Sequence, residues 1–295
     1  MLATVATGSL FQSYGEIFHQ LFGGLSLMIL ILILAKLLRF PKLVQSEMKN
    51  PALASVSGTF TMGLLLLSAF LKPYLGILAE ILWFLTIFLY ACLIIYFSWT
   101  FVRRLRISDV YTGYLIIYVG PIAITNSAAS FGQERIGQLA FWFGFACLWP
   151  VLALLGYRYL KFRQIPPGFQ PLFGVFSAPF ALCLVGYLKS FPSKSTGFVI
   201  FLVSFCLIFY LLGFLRIRSL FTREFYPSFA SYTFPFVNSA LAIKLSIAYF
   251  ALSGVWGIFN LLQSLLALFL VLYVLTRYII FLLRKDPKES SIIRP

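Results

Sequence analysis

Nine long apolar runs follow one another along this chain of 295 residues, and they constrain its fold more than any other feature. A helix that crosses the hydrocarbon core of a bilayer needs about 20 apolar residues. The chain is 61% hydrophobic and only 11% charged, which leaves no room for a separate soluble domain. The sequence therefore predicts an all-α polytopic membrane protein. The predicted spans are 17–39, 52–71, 75–100, 111–130, 136–159, 168–188, 195–214, 227–250 and 255–283, and a shorter run, 1–13, precedes them as a shortened first helix.

The positive charges alternate from one side of these spans to the other. Eighteen of the 23 lysines and arginines fall on one set of loops and helix ends. The positive-inside rule then predicts a cytoplasmic C-terminus. With ten spans across a cell (inner or plasma) membrane, the N-terminus is predicted to be cytoplasmic as well. The same rule accounts for the net charge of +15 without a nucleic-acid partner. The five cations of the other side are Lys72, Arg135, Lys189, Lys194 and Lys244.

The chain lacks the residue patterns of an enzyme or a metal protein. It contains no HExxH, no Walker motif, no GxSxG in a suitable setting and no paired carboxylates. His19 is the only histidine and cannot form a metal site alone. We therefore expect no catalysis, no metal and no cofactor, and we see no cleavable signal peptide. Four cysteines sit in apolar runs without paired spacing and are interpreted as small, reduced core residues: Cys92, Cys147, Cys183 and Cys206.

Small and polar residues mark every second span, whereas the intervening spans are plain and bulky, as in ILILILAKLL (29–38). Pro121, Pro179 and Pro235 are separated by 58 and 56 residues, and one further step of 58 residues leads back to Gly63. This period predicts a helical hairpin of about 58 residues, repeated five times. The repeats form a single transmembrane domain, 1–284, followed by a short cytoplasmic tail, 285–295. The marked segments are SVSGTFTMG (55–63), YVGPIAITNSAAS (118–130), FGVFSAPFALCLVG (173–186) and SYTFPFVNSALA (231–242).

Five such hairpins can close into a ring with their polar helices inside. Polar or broken backbone is tolerated within a membrane only where protein buries it or where it lines a water-filled cavity. The inner ring is therefore a candidate pore, and close helix packing through small residues is the alternative. The candidate pore-lining and kink residues are Gly58, Thr59, Gly63, Gly120, Pro121, Asn126, Pro179, Thr233, Pro235 and Asn238.

The chemistry of this candidate pathway favours anions. Cation pathways usually need acidic rings, and proton relays need chains of titratable groups, which the marked spans do not contain. Hydroxyls, amides and broken helix ends are available instead. Phe234 stands beside Pro235 in the most polar segment. A ring that projects into a narrow neutral pore blocks ions by bulk and by excluding water, although most phenylalanines of such a chain serve packing.

Four stretches resemble the tellurite-resistance/dicarboxylate transporter family, which includes TehA-like proteins and the slow-type anion channels of plants. The similarity covers about residues 3–280, and it implies ten transmembrane helices as five hairpins around a pore in each subunit, a homotrimer, and a pore gate at Phe234. The start departs from the family, because LATVATGSL matches only the second half of the usual first helix. We expect either a shortened helix or a start codon assigned too late. The stretches are NPALASVSGTFTMG, YVGPIAITNSAAS, FQPLFGVFSAPFALCLVGYL and FYPSFASYTFPFVNSALAIKL.

Two modes of transport remain open from the sequence. One is a gated, passive anion channel. The other is a secondary carrier or exporter, with or without proton coupling, for C4-dicarboxylates such as malate or for oxyanions such as sulfite and tellurite. The scarcity of titratable groups favours the channel. In either mode the expected partners are small inorganic or organic anions, the lipid bilayer and two further copies of the chain. A scaffold or receptor without transport would leave the polar inner face without a purpose.

Overall fold

A computed structural model describes residues 1–162, 164–222 and 224–283, and this part of the chain is helical without a β-strand. The predicted tail, 285–295, lies outside the described residues, as do six of the basic residues counted for topology: Arg163, Arg223, Arg284, Lys285, Lys288 and Arg294. The α-helices are α1 (Leu2–Phe11), α2 (Glu16–Arg39), α3 (Pro41–Glu47), α4 (Pro51–Val56), α5 (Gly58–Leu75), α6 (Ile77–Phe97), α7 (Gly113–Tyr118), α8 (Ile122–Ala128), α9 (Glu134–Lys161), α10 (Pro179–Ser190), α11 (Thr196–Leu215), α12 (Thr233–Tyr249) and α13 (Val255–Leu283).

Within the described residues, seven helical segments are long and apolar enough to cross a membrane. This confirms a multi-pass membrane protein. The other three predicted spans also coincide with helices, but α1 and α8 are short and α12 has 17 residues. The count of ten spanning helices therefore stays a prediction. The seven segments are Glu16–Arg39, Pro51–Leu75, Ile77–Val102, Glu134–Lys161, Pro167–Ser190, Thr196–Leu215 and Val255–Leu283.

Five helices form a closed cycle of contacts, which we call the inner ring: α1, α5, α8, α10 and α12. Each also packs against the long helix that follows it, and we call α2, α6, α9, α11 and α13 the outer helices. In the segments that contain α5 and α10, 61% and 83% of the residues in the apolar 18-residue stretch are buried, against 11–33% in the five outer-helix segments. The alternation of polar and plain spans in the sequence thus coincides with the difference between buried and exposed helices.

Hydroxyl groups connect successive segments of the inner ring. Each donates a hydrogen bond to a backbone carbonyl about one repeat away in sequence, and these bonds join the segment that ends in α10 to the segments that end in α8 and α12. Lys244 of α12 connects this helix to α1, because its Nζ donates to the Leu10 carbonyl at 2.7 Å. The hydroxyl bonds are Thr112 to Leu172, Ser228 to Gly168 and Ser190 to Thr125 (all 2.6 Å), and Ser239 to Ser177 (3.0 Å).

The inner segments are interrupted partway along their length. Ser57 separates α4 from α5, a short break separates α7 from α8, and 3₁₀ segments, Pro167–Ser177 and Pro227–Tyr232, precede α10 and α12. Runs of 3₁₀ helix beyond three or four residues are uncommon and often mark hinges or strain. The expected break at Pro235 lies slightly earlier than predicted, since Pro235 is the third residue of α12. A proline is tolerated there because the first turn has no helical acceptor for its N–H.

The outer helices are less plain than the sequence suggested. They carry glycines where inner residues press against them, so that a Cβ at Gly23 would lie 2.2 Å from the Phe70 ring and one at Gly213 would lie 1.9 Å from the Ser177 hydroxyl. These glycines let the two layers approach closely. The prediction that all four cysteines are core residues is partly wrong. Cys183 and Cys206 are buried, but Cys92 is exposed on the bilayer-facing side of α6, where lipid also accommodates a small apolar residue.

Basic residues collect at one end of the bundle, which we call the basic end. Here α2 ends near Lys36 and Arg39, and Lys36 forms an ion pair of 2.9 Å with Glu47. At the opposite end Lys72 pairs with Glu80 at 2.7 Å. These two are the ion pairs among the described residues. The two ends therefore differ in charge as the positive-inside count predicts.

Candidate functional site

The contacts of α12 show which of its sides face neighbouring helices. The Ser239 hydroxyl donates to the Ser177 carbonyl beside α10, and the Phe236 ring lies 5.0 Å from the Tyr210 ring of α11. The other two neighbouring helices are α13 and α1. The Ala240 carbonyl accepts a hydrogen bond from Asn260 of α13 at 2.8 Å, and Lys244 donates one to the Leu10 carbonyl of α1.

The remaining side of α12 faces the axis of the inner ring. Residues advance by about 100° around an α-helix, so the four contacting positions of α12 occupy an arc of about 140°. The opposite arc contains Phe234, Asn238 and Leu245, because residues four and seven apart share a helix face. Two of the candidate residues, Phe234 and Asn238, are thus brought to the inside of the ring.

Both of these residues on the inward arc of α12 are buried. Phe234 is 7% exposed and Asn238 is 2% exposed. The Asn238 Nδ2 has no hydrogen-bond partner, and neither has the Oδ1 of Asn126, which lies on α8 against Gly186 of α10. Buried polar atoms are nearly always paired with protein or water, so an unpaired amide at a ring axis indicates a place for water or a polar solute.

The three candidate glycines serve close contacts between helices. A Cβ at Gly58 would lie 3.0 Å from Ile116, and one at Gly63 would lie 2.5 Å from the end of Met1. A Cβ at Gly120 would lie 2.0 Å from the Tyr90 hydroxyl oxygen. Packing thus accounts for their small size, which is the alternative that the sequence left open.

The other candidates lie at the interruptions of the inner segments. Pro179 is the first residue of α10, and Pro121 directly precedes α8. Thr233 and Thr59 each donate through their hydroxyl to the carbonyl three residues earlier, at 2.6 Å to Ala230 and 2.8 Å to Val56. Such bonds satisfy backbone groups that an interrupted helix leaves without partners, as a membrane interior requires.

The interruption between α7 and α8 has a dedicated partner. The N–H groups of Val119 and Gly120 both donate to the Leu115 carbonyl, at 2.9 and 3.1 Å, which leaves the Ile116 carbonyl without its helical donor. The Tyr90 hydroxyl of α6 donates to that carbonyl at 2.5 Å. A side chain from an outer helix thus replaces the missing backbone hydrogen bond, and the break is a built feature of the fold.

Charge along the inner segments has one sign. The ranges 1–13, 51–75, 111–131, 167–190 and 227–249 contain no aspartate or glutamate and three lysines, Lys72, Lys189 and Lys244. All three lysines lie near the end of the bundle opposite the basic end. A passage without acidic groups and with positive charge at both ends attracts anions and repels cations.

Arg158 is a residue whose role the sequence did not indicate. It is 2% exposed near the basic end of α9. Its Nε donates to the Val110 carbonyl at 3.0 Å and its Nη1 to the Phe162 carbonyl at 2.6 Å, and its guanidinium lies 5.1 Å from the Tyr159 ring centre. It holds together the loops before α7 and after α9. Its flanking tyrosines were the available signal, because buried guanidinium groups often stack on aromatic rings.

Replacing Arg158 with alanine is expected to lower the free energy of unfolding by about 2–4 kcal/mol, because buried carbonyls lose their charged donor. Thermal unfolding of the purified protein in detergent measures this. Lys161→Ala is the control, since Lys161 is exposed and, within the part of the chain that the structure describes, its side chain donates a hydrogen bond only to the Tyr157 hydroxyl. Equal stability of the two variants would contradict the assigned role of Arg158.

The described residues show no cluster of three histidine, cysteine, aspartate or glutamate side chains that suits a metal ion. His19 instead packs edge-on against the Phe70 ring, with 5.0 Å between centres.

The family model SLAC1, described as a voltage-dependent anion channel, matches residues 1–279. The match therefore spans all helices of the inner ring and nearly all of α13. A search of curated proteins gives no match to the chain.

Proposed function

Because this chain belongs to the SLAC1 family of voltage-dependent anion channels, we propose that it conducts small anions through a pore inside each subunit and that Phe234 closes this pore. The single observation that carries the proposal is the inward arc of α12, where Phe234 and the unpaired amide of Asn238 share the face toward the ring axis. The family itself consists of transporters and channels rather than enzymes.

The proposed pore is the axis of the inner ring, within ten helices arranged as five hairpins. The closed cycle of contacts supports this arrangement, and so does the greater burial of the inner segments. Large apolar residues of the outer helices, such as Leu38, Leu160 and Val255, are at least 78% exposed and suit a lipid environment. The homotrimer and the orientation with cytoplasmic termini are part of the proposal and rest on the family resemblance and on the charge count.

Anions are the proposed permeant ions because uncharged hydrogen-bond donors along the pore can take the place of part of the water bound to an anion. The Asn238 amide offers an N–H, and the helices α10 and α12 begin midway along the inner segments, so their positive dipole ends lie inside the ring. No carboxylate of the inner segments opposes an anion or binds a cation. A solute that sheds water partially can thus be stabilised by dipoles without being held tightly.

Phe234 acts in this proposal as a steric and apolar plug. It lies one turn from Asn238 on the same face and close to the junction between the 3₁₀ segment Pro227–Tyr232 and α12. Opening requires a change of its rotamer or a shift of α12 at that junction, at a cost of about 1–3 kcal/mol for leaving a packed position.

Flux from liposomes that contain the purified protein tests whether transport is passive. We expect chloride and nitrate efflux to rise in proportion to concentration and to be the same with and without a proton gradient, because no titratable chain crosses the inner ring. A saturable flux of malate or sulfite that follows the proton gradient would instead establish a coupled carrier. Empty liposomes and liposomes with heat-denatured protein control for leakage.

A further inference from the structure

The contacts of α10 define its outward and inward sides. The Phe180 ring lies 4.9 Å from the Phe205 ring of α11, and the Tyr187 ring lies 4.9 Å from the Phe198 ring of the same helix. Phe180 and Tyr187 are seven residues apart and therefore lie on one side of α10, the side toward the outer layer.

Lys189 lies on the opposite side of α10. It follows Phe180 by nine residues, which at about 100° per residue is a rotation of about 180°. The same inward side contains Val185 and Leu182, four and seven residues earlier, so an apolar strip leads from Lys189 toward the middle of the ring. Lys189 lies at the end of that strip farthest from the basic end, in the last turn of the helix.

Lys189 differs from the other two lysines of the inner segments. Lys72 forms its ion pair with Glu80, and Lys244 donates to Leu10 and Ser13 and lies over the Tyr14 ring. Lys189 is exposed, and among the described residues it makes no hydrogen bond, ion pair or ring contact. An ammonium without a partner at the rim of the ring is free to attract a solute.

We propose that Lys189 is the anion-capture residue at the mouth of the pore opposite the basic end. Its ammonium, a compact point charge, concentrates small inorganic anions at the rim without binding them tightly. The apolar strip below offers no second charge, so capture occurs at the rim and passage beyond it depends on uncharged donors. This inference rests on the proposed function and adds a residue that sets the rate and selectivity of anion access.

A planar-bilayer experiment on the full chain that carries the Phe234→Ala opening substitution tests the inference. Lys189→Gln is expected to lower chloride conductance about 2- to 5-fold at ~20 mM salt and to change it little at ~1 M salt, because salt screens a surface charge within about 3 Å at that concentration. Lys194→Gln is the matched control, since Lys194 is also without a partner among the described residues but lies in the loop after α10. It is expected to leave the conductance unchanged.

A chemical rescue separates charge from packing and from the interaction of Lys189 with the helix dipole. In Lys189→Cys the thiolate attacks 2-aminoethyl methanethiosulfonate, forms a mixed disulfide and releases methanesulfinate, which restores a positive charge. The low-salt conductance should rise again, and the sulfonatoethyl reagent should lower it further. The parent protein with Lys189 intact, treated with the same reagents, controls for its own cysteines.

The outcomes distinguish the two levels of the proposal. If the Phe234→Ala protein conducts and Lys189→Gln conducts equally well at low salt, or if Lys194→Gln has the same effect, the capture role is overturned and the pore remains. If the Phe234→Ala protein with intact Lys189 does not conduct, the proposed pore fails and the capture role fails with it.

Discussion

Replacing Phe234 with alanine is expected to raise chloride and nitrate flux at least about tenfold, which corresponds to a barrier lower by about 1.4 kcal/mol. The reason is that Phe234 lies on the axis-facing arc of α12 and is 7% exposed, and its ring is the plug of the proposed pore. Removing the ring admits water where a narrow apolar constriction excluded it. Flux from liposomes and single-channel conductance in planar bilayers both measure the change.

The position of the ring matters more than its chemistry, and Phe236 provides the matched comparison. Phe236 lies two residues away, is fully buried, and packs against Tyr210 on the outward side of α12. Phe236→Leu is expected to leave the flux at the wild-type level, while Phe234→Leu gives a flux between those of wild type and Phe234→Ala. A similar increase in the Phe236 variant, or no increase in Phe234→Ala, would show that Phe234 does not close a pore.

The length and order of the long helices were accessible from the sequence because the bilayer imposes them. The predicted span 17–39 is α2, Glu16–Arg39, and the predicted span 255–283 is α13, Val255–Leu283. A helix of fixed apolar length must end where the membrane ends, so a run of apolar residues identifies it directly. The spacing of the three prolines similarly located inner segments that the structure shows to be interrupted.

The form of the interruptions was not accessible from the sequence. Pro167–Ser177 is a 3₁₀ segment of 11 residues, whereas the sequence predicted it as the start of one continuous span, 168–188. The choice between the two helices depends on contacts with the neighbouring segments, such as the bond of Ser231 to the Pro171 carbonyl. Before α5 the interruption falls at Ser57, which is not a proline but stands directly before Gly58, one of the predicted kink residues.

The structural role of Arg158 was also not accessible from the sequence. In the sequence it is one of the basic residues of the positive-inside count, whereas in the structure it is buried among backbone carbonyls of two loops. A single sequence does not indicate which loops meet, so it does not distinguish a solvated arginine from one that holds carbonyls. For the candidate site, the sequence identified Phe234 and Asn238 through their segment, but their shared inward face required the contacts of α12 on its other sides.

Gly120→Ala is expected to produce the largest loss of stability among the substitutions considered, about 2–5 kcal/mol in the free energy of unfolding. An added Cβ would lie 2.0 Å from the Tyr90 hydroxyl oxygen and 2.2 Å from the Ile116 carbonyl oxygen. The new methyl group must displace the tyrosine, and the Ile116 carbonyl then lacks its donor inside the membrane, where no water replaces it. The midpoint of thermal unfolding in detergent, followed by size-exclusion chromatography, measures the effect.

Three further variants decide whether the clash with Tyr90 is the cause. Gly156→Ala on α9 is the control, because a Cβ there has no neighbour within 4 Å, and it should be neutral or slightly stabilising. Tyr90→Phe alone should destabilise by about 1–3 kcal/mol through the unpaired carbonyl. In the double variant the hydroxyl is already absent when the methyl group is added. The loss of stability in the double variant should therefore be smaller than the sum of the losses in the two single variants. Simple additivity, or a Gly120→Ala protein as stable as Gly156→Ala, would mean that Tyr90 does not support the interruption between α7 and α8.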